Sequence, residues 1–223
     1  MALRPIVKFG HPMLHEPSAP VANIDGTIHA LVQDMIETMY AAPGIGLAAP
    51  QIAVPLRVIV IDLSTGEDRK QLIKLVNPEF VEKEGEQRHE EGCLSVPGYG
   101  GSPVRPARVT VKGLDLEGKE RVYTGTELLA RAFCHEIDHI DGLLFVDRLT
   151  PLKRDLMKRK LRKRARNDDW GEEGKWCSWA AARSRSPAWR LCSVPATRWR
   201  RSSRSRTRRR DAAAQWPLLR SSR

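Results

Sequence analysis

Ile28, Leu31, Val32, Met35, Ile36 and Met39 recur at three- and four-residue intervals, the spacing that gathers side chains on one face of a helix. Thr27 is the expected N-cap, and Ala41-Ala42-Pro43-Gly44 supplies the breaker that ends this helix. The residues before it, 1–26, are rich in proline and histidine and predict irregular structure with short strands at most. Arg57 to Asp62 is a nearly unbroken apolar run and predicts a buried strand, and Leu72 to Glu84 predicts one or two more. Val104 to Leu114 reads as a further strand that turns near Glu117-Gly118 into Glu120–Thr124, an antiparallel hairpin. Thr126 then caps a helix reaching about Asp141, with Leu128, Leu129, Ala132, Phe133, Ile137 and Ile140 on its apolar side. Thr150-Pro151 pairs an N-cap hydroxyl with proline at the first helical position and opens a last helix to about Arg166, basic on its exposed side. Strands followed by such helices predict one α+β domain over residues 1–166, without internal repeats.

Charge changes this picture only at one end. The 223-residue chain carries a formal net charge of +11, which suggests a nucleic-acid binder until the charge is located. Trp176 to Arg223 holds thirteen arginines, no lysine and one acid, so residues 1–175 are close to neutral. All six tryptophans fall after residue 169, in text dominated by Arg, Ser and Ala with no hydrophobic period, which predicts disorder from about residue 167. No apolar run approaches the ~20 residues that cross a bilayer. Arg4, Pro5 and Lys8 interrupt any secretory h-region, so a cytoplasmic location is expected. The four cysteines form neither a C-x-x-C pair nor a dense framework, which argues against disulfides.

The chemistry concentrates in three segments. His135-Glu136-Ile137-Asp138-His139 stacks two imidazoles one helical turn apart, where they can grip one metal ion while Glu136 handles a proton. A catalytic metal usually has three protein ligands and one open position, yet no histidine follows His139. Upstream, Glu91-Gly92-Cys93-Leu94-Ser95-Val96-Pro97-Gly98 offers the Cys93 thiol between a glycine and a turn. Gly44-Ile45-Gly46-Leu47-Ala48-Ala49-Pro50-Gln51 exposes backbone groups at two glycines and adds the Gln51 amide, a donor suited to an oxyanion. No Lys-Ser/Thr follows these glycines, which argues against a phosphate loop.

Taken in order, G-I-G-L-A-A-P-Q, E-G-C-L-S-V-P-G and H-E-I-D-H-I-D-G closely resemble the three signature motifs of the peptide deformylases, over roughly residues 3–166. The resemblance implies antiparallel sheets packed around a central H-E-x-x-H helix, with an N-terminal and a C-terminal helix. It implies a cytoplasmic metallohydrolase that removes the formyl group from N-formylmethionyl nascent peptides and releases formate. By the same resemblance, Cys93, His135 and His139 are the metal ligands, for Fe2+ natively, with Zn2+, Ni2+ or Co2+ able to substitute. Glu136 corresponds to the general acid and base, and Gln51 with the Leu94 backbone N–H to the oxyanion donors. Ile45, Gly46 and Gly92 correspond to peptide-binding backbone edges, and Leu128, Ala132 and Ile45 to walls of the methionine pocket. Glu91 and Asp138 are candidates to orient the ligands. Many relatives carry an arginine shortly after the Cys loop; here Tyr99-Gly100-Gly101 stands instead, which bears on peptide preference. His11, His15, His29 and His89 read as structural or surface groups, and Cys134 as packing.

The basic helix 151–166 offers a surface for visiting the ribosome; its bland alternative is a solvated charged face. Neither a membrane nor a specific nucleic acid is an expected partner. For the tail, an arginine-rich arm binding RNA competes with translation out of frame. Trp199 to Asp211 can be back-translated into codons that, read two bases later, spell A-P-V-V-T-Q-P-D-T-P-A-G, which resembles the start of methionyl-tRNA formyltransferase. Two other readings of the whole chain stay open here: a metallopeptidase, and a catalytically idle RNA-binding protein.

Overall fold

The computed structural model describes residues 2–170. The tail after 170, for which disorder, an RNA-binding arm and translation out of frame were weighed above, lies outside the described residues.

The first helix, α1 (Gly26–Ala41), is capped by Asp25 and not by Thr27. One Asp25 carboxylate oxygen accepts from the backbone N–H groups of Thr27 and Ile28, and the Thr27 hydroxyl donates to that same oxygen. A carboxylate two residues earlier thus satisfies two free helix donors at once, which a threonine in place 27 does not do. The helix stops before Pro43, as its breaker requires.

Five strands follow in one antiparallel sheet: β1 (Gly46–Ala48), β2 (Val58–Ile61), β3 (Ile73–Glu84), β8 (Arg108–Leu114) and β9 (Glu120–Thr126), side by side in that order. Two small hairpin-like pairs stand apart from it, β4 (Gln87–Arg88) with β7 (Val104–Arg105) and β5 (Glu91–Gly92) with β6 (Gly100–Gly101). The span Leu72 to Glu84 is therefore one long strand, irregular around Pro78, where the missing N–H prevents regular pairing with β8. Val104 to Leu114 is not one strand but two, parted at Pro106 for the same reason.

Strand β2 explains how the layers stack. Ile59 and Ile61 pack with Phe133, Ile137 and Ile140 of α2 (Glu127–Ile140), whereas Val58 and Val60 pack with Leu31, Val32, Met35 and Met39 of α1. Alternate side chains leave a strand on opposite faces, so an apolar run this even is buried on both sides. The sheet lies between α1 and α2, and α2 is the central helix. A third cluster joins Phe9, Leu14, Val96, Phe145 and Leu149 to Leu161 of α3 (Pro151–Asn167). Through Val96 and the half-buried Cys93 it reaches the Cys loop, so α3 braces that loop from behind. No described helix is long and apolar enough to cross a membrane.

Candidate metal centre

Helix α2 buries ten of its fourteen residues, and four of those ten are His135, Glu136, Asp138 and His139. Burying a polar group without a partner is costly, so each of these side chains calls for one. The Cys93 thiol supplies the first. It stands 3.2 Å from Nε2 of His139, and the donor atoms of Cys93, His135 and His139 all lie within 4.8 Å of one another. A tetrahedral centre with sulfur and imidazole ligands separates its donor atoms by about 3.5 Å, so the set matches one small divalent ion.

The outward side of His135 is fixed by a chain of charges. Its Nδ1 meets Glu91 Oε2 at 3.2 Å, and Glu91 in turn accepts two hydrogen bonds from Arg105, from Nε at 2.8 Å and Nη2 at 2.9 Å. Arg105 also donates through Nη1 to Asp138, whose carboxylate accepts from Arg148 as well. Glu91, Arg105 and Asp138 are all buried. Burial alone would raise the Glu91 carboxyl, but its bonds to His135 and Arg105 outweigh this and hold it below the usual glutamate range. Arg105, pushed down by burial and up more strongly by the two carboxylates, has its pKa raised further. The Glu91 and Asp138 candidates are thus brought together by a residue that the motifs did not single out. Arg105 stands between Val104 and Pro106 after a Gly-Gly-Ser-Pro stretch, and a lone arginine there gives no local sign of an ion-pair role.

Glu136 lies in a different setting. Its carboxylate packs directly against Gly46, where any Cβ would collide with it, and Oε2 has no hydrogen-bond partner among the described residues. Burial raises its pKa to about 7, with the charge of His135 opposing and that of Glu91 adding. His139 Nδ1 is likewise buried without a partner among the described residues. Desolvation lowers the pKa of His139, aided by the charges of His135 and Arg105. For His135 burial works in the same direction, but Cys93, Glu91 and Glu136 reverse it and raise the pKa.

Gln51 sits in a 3-10 turn (Ala49–Ile52) after β1, which is the edge strand of the large sheet. Gln51, Ile45, Gly46, Gly92, Cys93, Leu94, His135 and Glu136 together line one cleft, with Glu90, Tyr99 and Gly100 at its wall. Ala132 is buried in the core beneath α2, and Leu128 is half-buried on the first turn of that helix. Neither lines this cleft, although both continue the helix face of His135 and His139. Cys134 is buried outside the donor set, and burial raises its thiol to about 11, which agrees with packing.

Residues 3–155 match the polypeptide deformylase family. A peptide deformylase of Acidobacterium capsulatum is 50% identical over 170 residues, covering 76% of this chain and 100% of its own length. The chain belongs to the polypeptide deformylase family. A second deformylase, from Thermodesulfovibrio yellowstonii, is 49% identical over 162 residues, 73% of this chain and 98% of that protein. Among solved structures, the crystal structure of a peptide deformylase from Legionella pneumophila superposes with a TM-score of 0.70 at 48% identity, covering 77% of this chain and 100% of that one. As in its family, the reaction of this chain is hydrolytic removal of the N-formyl group from nascent peptides. The α+β architecture expected from the motifs agrees with both the strand order and this structural likeness.

Proposed function

We propose that Cys93, His135 and His139 hold one divalent ion, Fe2+ natively, with Zn2+, Ni2+ or Co2+ able to replace it. The observation that supports this is the convergence of a thiol and two imidazoles beside the buried Glu136 carboxylate, whose Oε2 has no hydrogen-bond partner among the described residues. When bound, the ion supplies a Lewis acid that acidifies water and polarises the formyl carbonyl. A thiolate and two neutral imidazoles leave a divalent centre with one net positive charge, enough for that work.

Glu136 accepts a proton from the attacking water and returns it to the departing amine nitrogen. Burial raises its pKa and so makes its carboxylate a stronger base than an exposed glutamate, which suits it to take up that proton and then pass it on to the more basic amine. The Gln51 side-chain amide and the Leu94 backbone N–H stabilise the oxyanion of the tetrahedral intermediate. The peptide backbone runs along Ile45 and Gly46, at the edge strand β1, and along Gly92 in β5, adding to strand edges as extended peptides commonly do. Ile45 in the cleft, with Leu128 and Ala132 where the His135 face of α2 continues beyond it, walls the pocket for the methionine side chain. Residues 1–166 constitute the catalytic domain, working in the cytoplasm on N-formylmethionyl nascent chains. The exposed lysines and arginines of α3 (Lys153, Arg159, Lys160, Arg162, Lys163) provide contact with the ribosome surface. This reading involves no membrane and no specific nucleic acid.

The protein loaded anaerobically with Fe2+ is expected to release formate from formyl-Met-Ala-Ser and to leave acetyl-Met-Ala-Ser intact. Glu136→Ala should lower the rate by about 10²–10⁴-fold while metal content is unchanged. Retained activity in that variant refutes the assignment of Glu136.

A further inference from the structure

We propose that Ser95 is a positioning residue for Gln51, holding its amide so that one N–H faces the reacting carbonyl. This rests on the oxyanion role proposed for Gln51.

The two ends of the Gln51 amide have distinct partners. The Ala48 backbone N–H donates to Oε1 at 2.8 Å, and since an N–H can only donate, the oxygen is pinned to that side. Nε2 therefore points the other way, where it donates to Ser95 Oγ at 3.3 Å and approaches Cys93 Sγ at 3.7 Å. An amide nitrogen has two hydrogens. One is engaged by Ser95, and the other faces the Cys93 side of the cleft, where the formyl oxygen must sit. Gln51 and Ser95 are both buried, so no bulk solvent replaces the hydroxyl if it is removed. Without Ser95 the amide retains the Ala48 bond and the long contact to Cys93 Sγ, and rotation about its last torsion, which is broad for a terminal amide, moves the donor off line.

The backbones beneath these two side chains are tied together as well. Val7 N–H donates to Gln51 C=O at 2.8 Å and Phe9 N–H donates to Ser95 C=O at 2.8 Å. Between them, Lys8 Nζ donates to Leu94 C=O at 3.2 Å. One extended segment near the N-terminus thus stitches the Gln51 turn to the Cys loop, keeping the amide–hydroxyl contact in register.

The test is a double-mutant cycle in the metal-loaded full chain. Ser95→Ala should lower kcat about tenfold, a part of the 10²–10³-fold that loss of a whole oxyanion donor costs, with KM within about twofold. In a Gln51→Ala background the same change should add no further loss, because there is no amide left to orient. An additive loss in that background overturns the proposal, as does an unaltered kcat in the single variant. If Gln51→Ala alone leaves kcat unchanged, the oxyanion role of Gln51 fails first. A second measurement does not depend on turnover. The side-chain NH2 resonances of Gln51, assigned by their loss in Gln51→Ala, should broaden or merge toward free-amide positions in Ser95→Ala. Resonances that keep their wild-type positions in Ser95→Ala overturn the proposal.

Discussion

Helices α2 and α3 are both rich in charged or ionisable residues, yet they treat them in opposite ways. Helix α2 buries His135, Glu136, Asp138 and His139 together with its apolar side, whereas Leu161 is the buried residue of α3. In α3 most charged groups keep their hydration, and the half-buried Lys158 and Arg164 meet Asp147 and the Pro97 C=O. In α2 hydration is lost, and partners come from far along the chain: Cys93 and Glu91 from the Cys loop, Arg105 from β7, Arg148 from beyond the helix. A buried charge on a helix is therefore a demand on the rest of the fold, and two atoms without a hydrogen-bond partner among the described residues, Glu136 Oε2 and His139 Nδ1, fall at the chemistry.

Removing the hub of the α2 network breaks that comparison most directly. Arg105→Met leaves Glu91 and Asp138 buried without their main cation and should destabilise the protein by about 3–5 kcal/mol in urea melts. With His135 no longer oriented, metal affinity should drop roughly 10–100-fold, read by chelator competition. A variant as stable as the parent would show that the network contributes little. In α3 the corresponding weak point is apolar: Leu161→Ala should cost about 2–4 kcal/mol, since it opens a cavity behind the Cys loop.

Asp62 extends the comparison to a buried carboxylate outside both helices. Burial works to raise its pKa, but bonds from Ser64, Tyr40 and the Gly66 N–H lower it below 3.8. A depressed native pKa gives stability that is fully present above pH 3.8 and drains as pH falls through the native value. Asp62→Asn should therefore be less stable at neutral pH, by about 1–3 kcal/mol, and show a shallower decline below pH 4. A parallel pair of stability–pH curves would contradict this. The smallest effect belongs to the solvated face of α3. Replacing Lys153, Lys160 and Lys163 together by Gln should shift stability by about 0.5 kcal/mol or less per site and leave hydrolysis of a free formyl-peptide unchanged. A large loss of stability there would mean these charges are not merely solvated.

Two kinds of information were unequally visible in the chain. The α1 and α2 periods, the burial of β2 and the H-E-x-x-H face follow from spacing, because helix and strand geometry repeat over a few residues, while α3 is marked by its Thr150-Pro151 start. Cys93 and Gln51 were legible as candidates because the two-histidine helix lacks a third ligand and an amide suits an oxyanion, and the joint resemblance of three motifs gave them their roles, since an isolated thiol or amide has no local mark of its own. The cap at Asp25 and the break at Pro106 were misjudged, where local donors and a missing N–H decide.

The sequence by itself determined which faces are apolar, which residue types can hold a metal and move a proton, and, through its motifs, the family. The tertiary structure alone decided which groups meet. Arg105 joins Glu91 and Asp138, 14 and 33 residues away, and Ser95 meets Gln51 across 44. No short-range period encodes such separations. They are selected when the sheet and α2 close over these groups, remove water, and leave each polar atom dependent on whichever partner the fold has brought within reach.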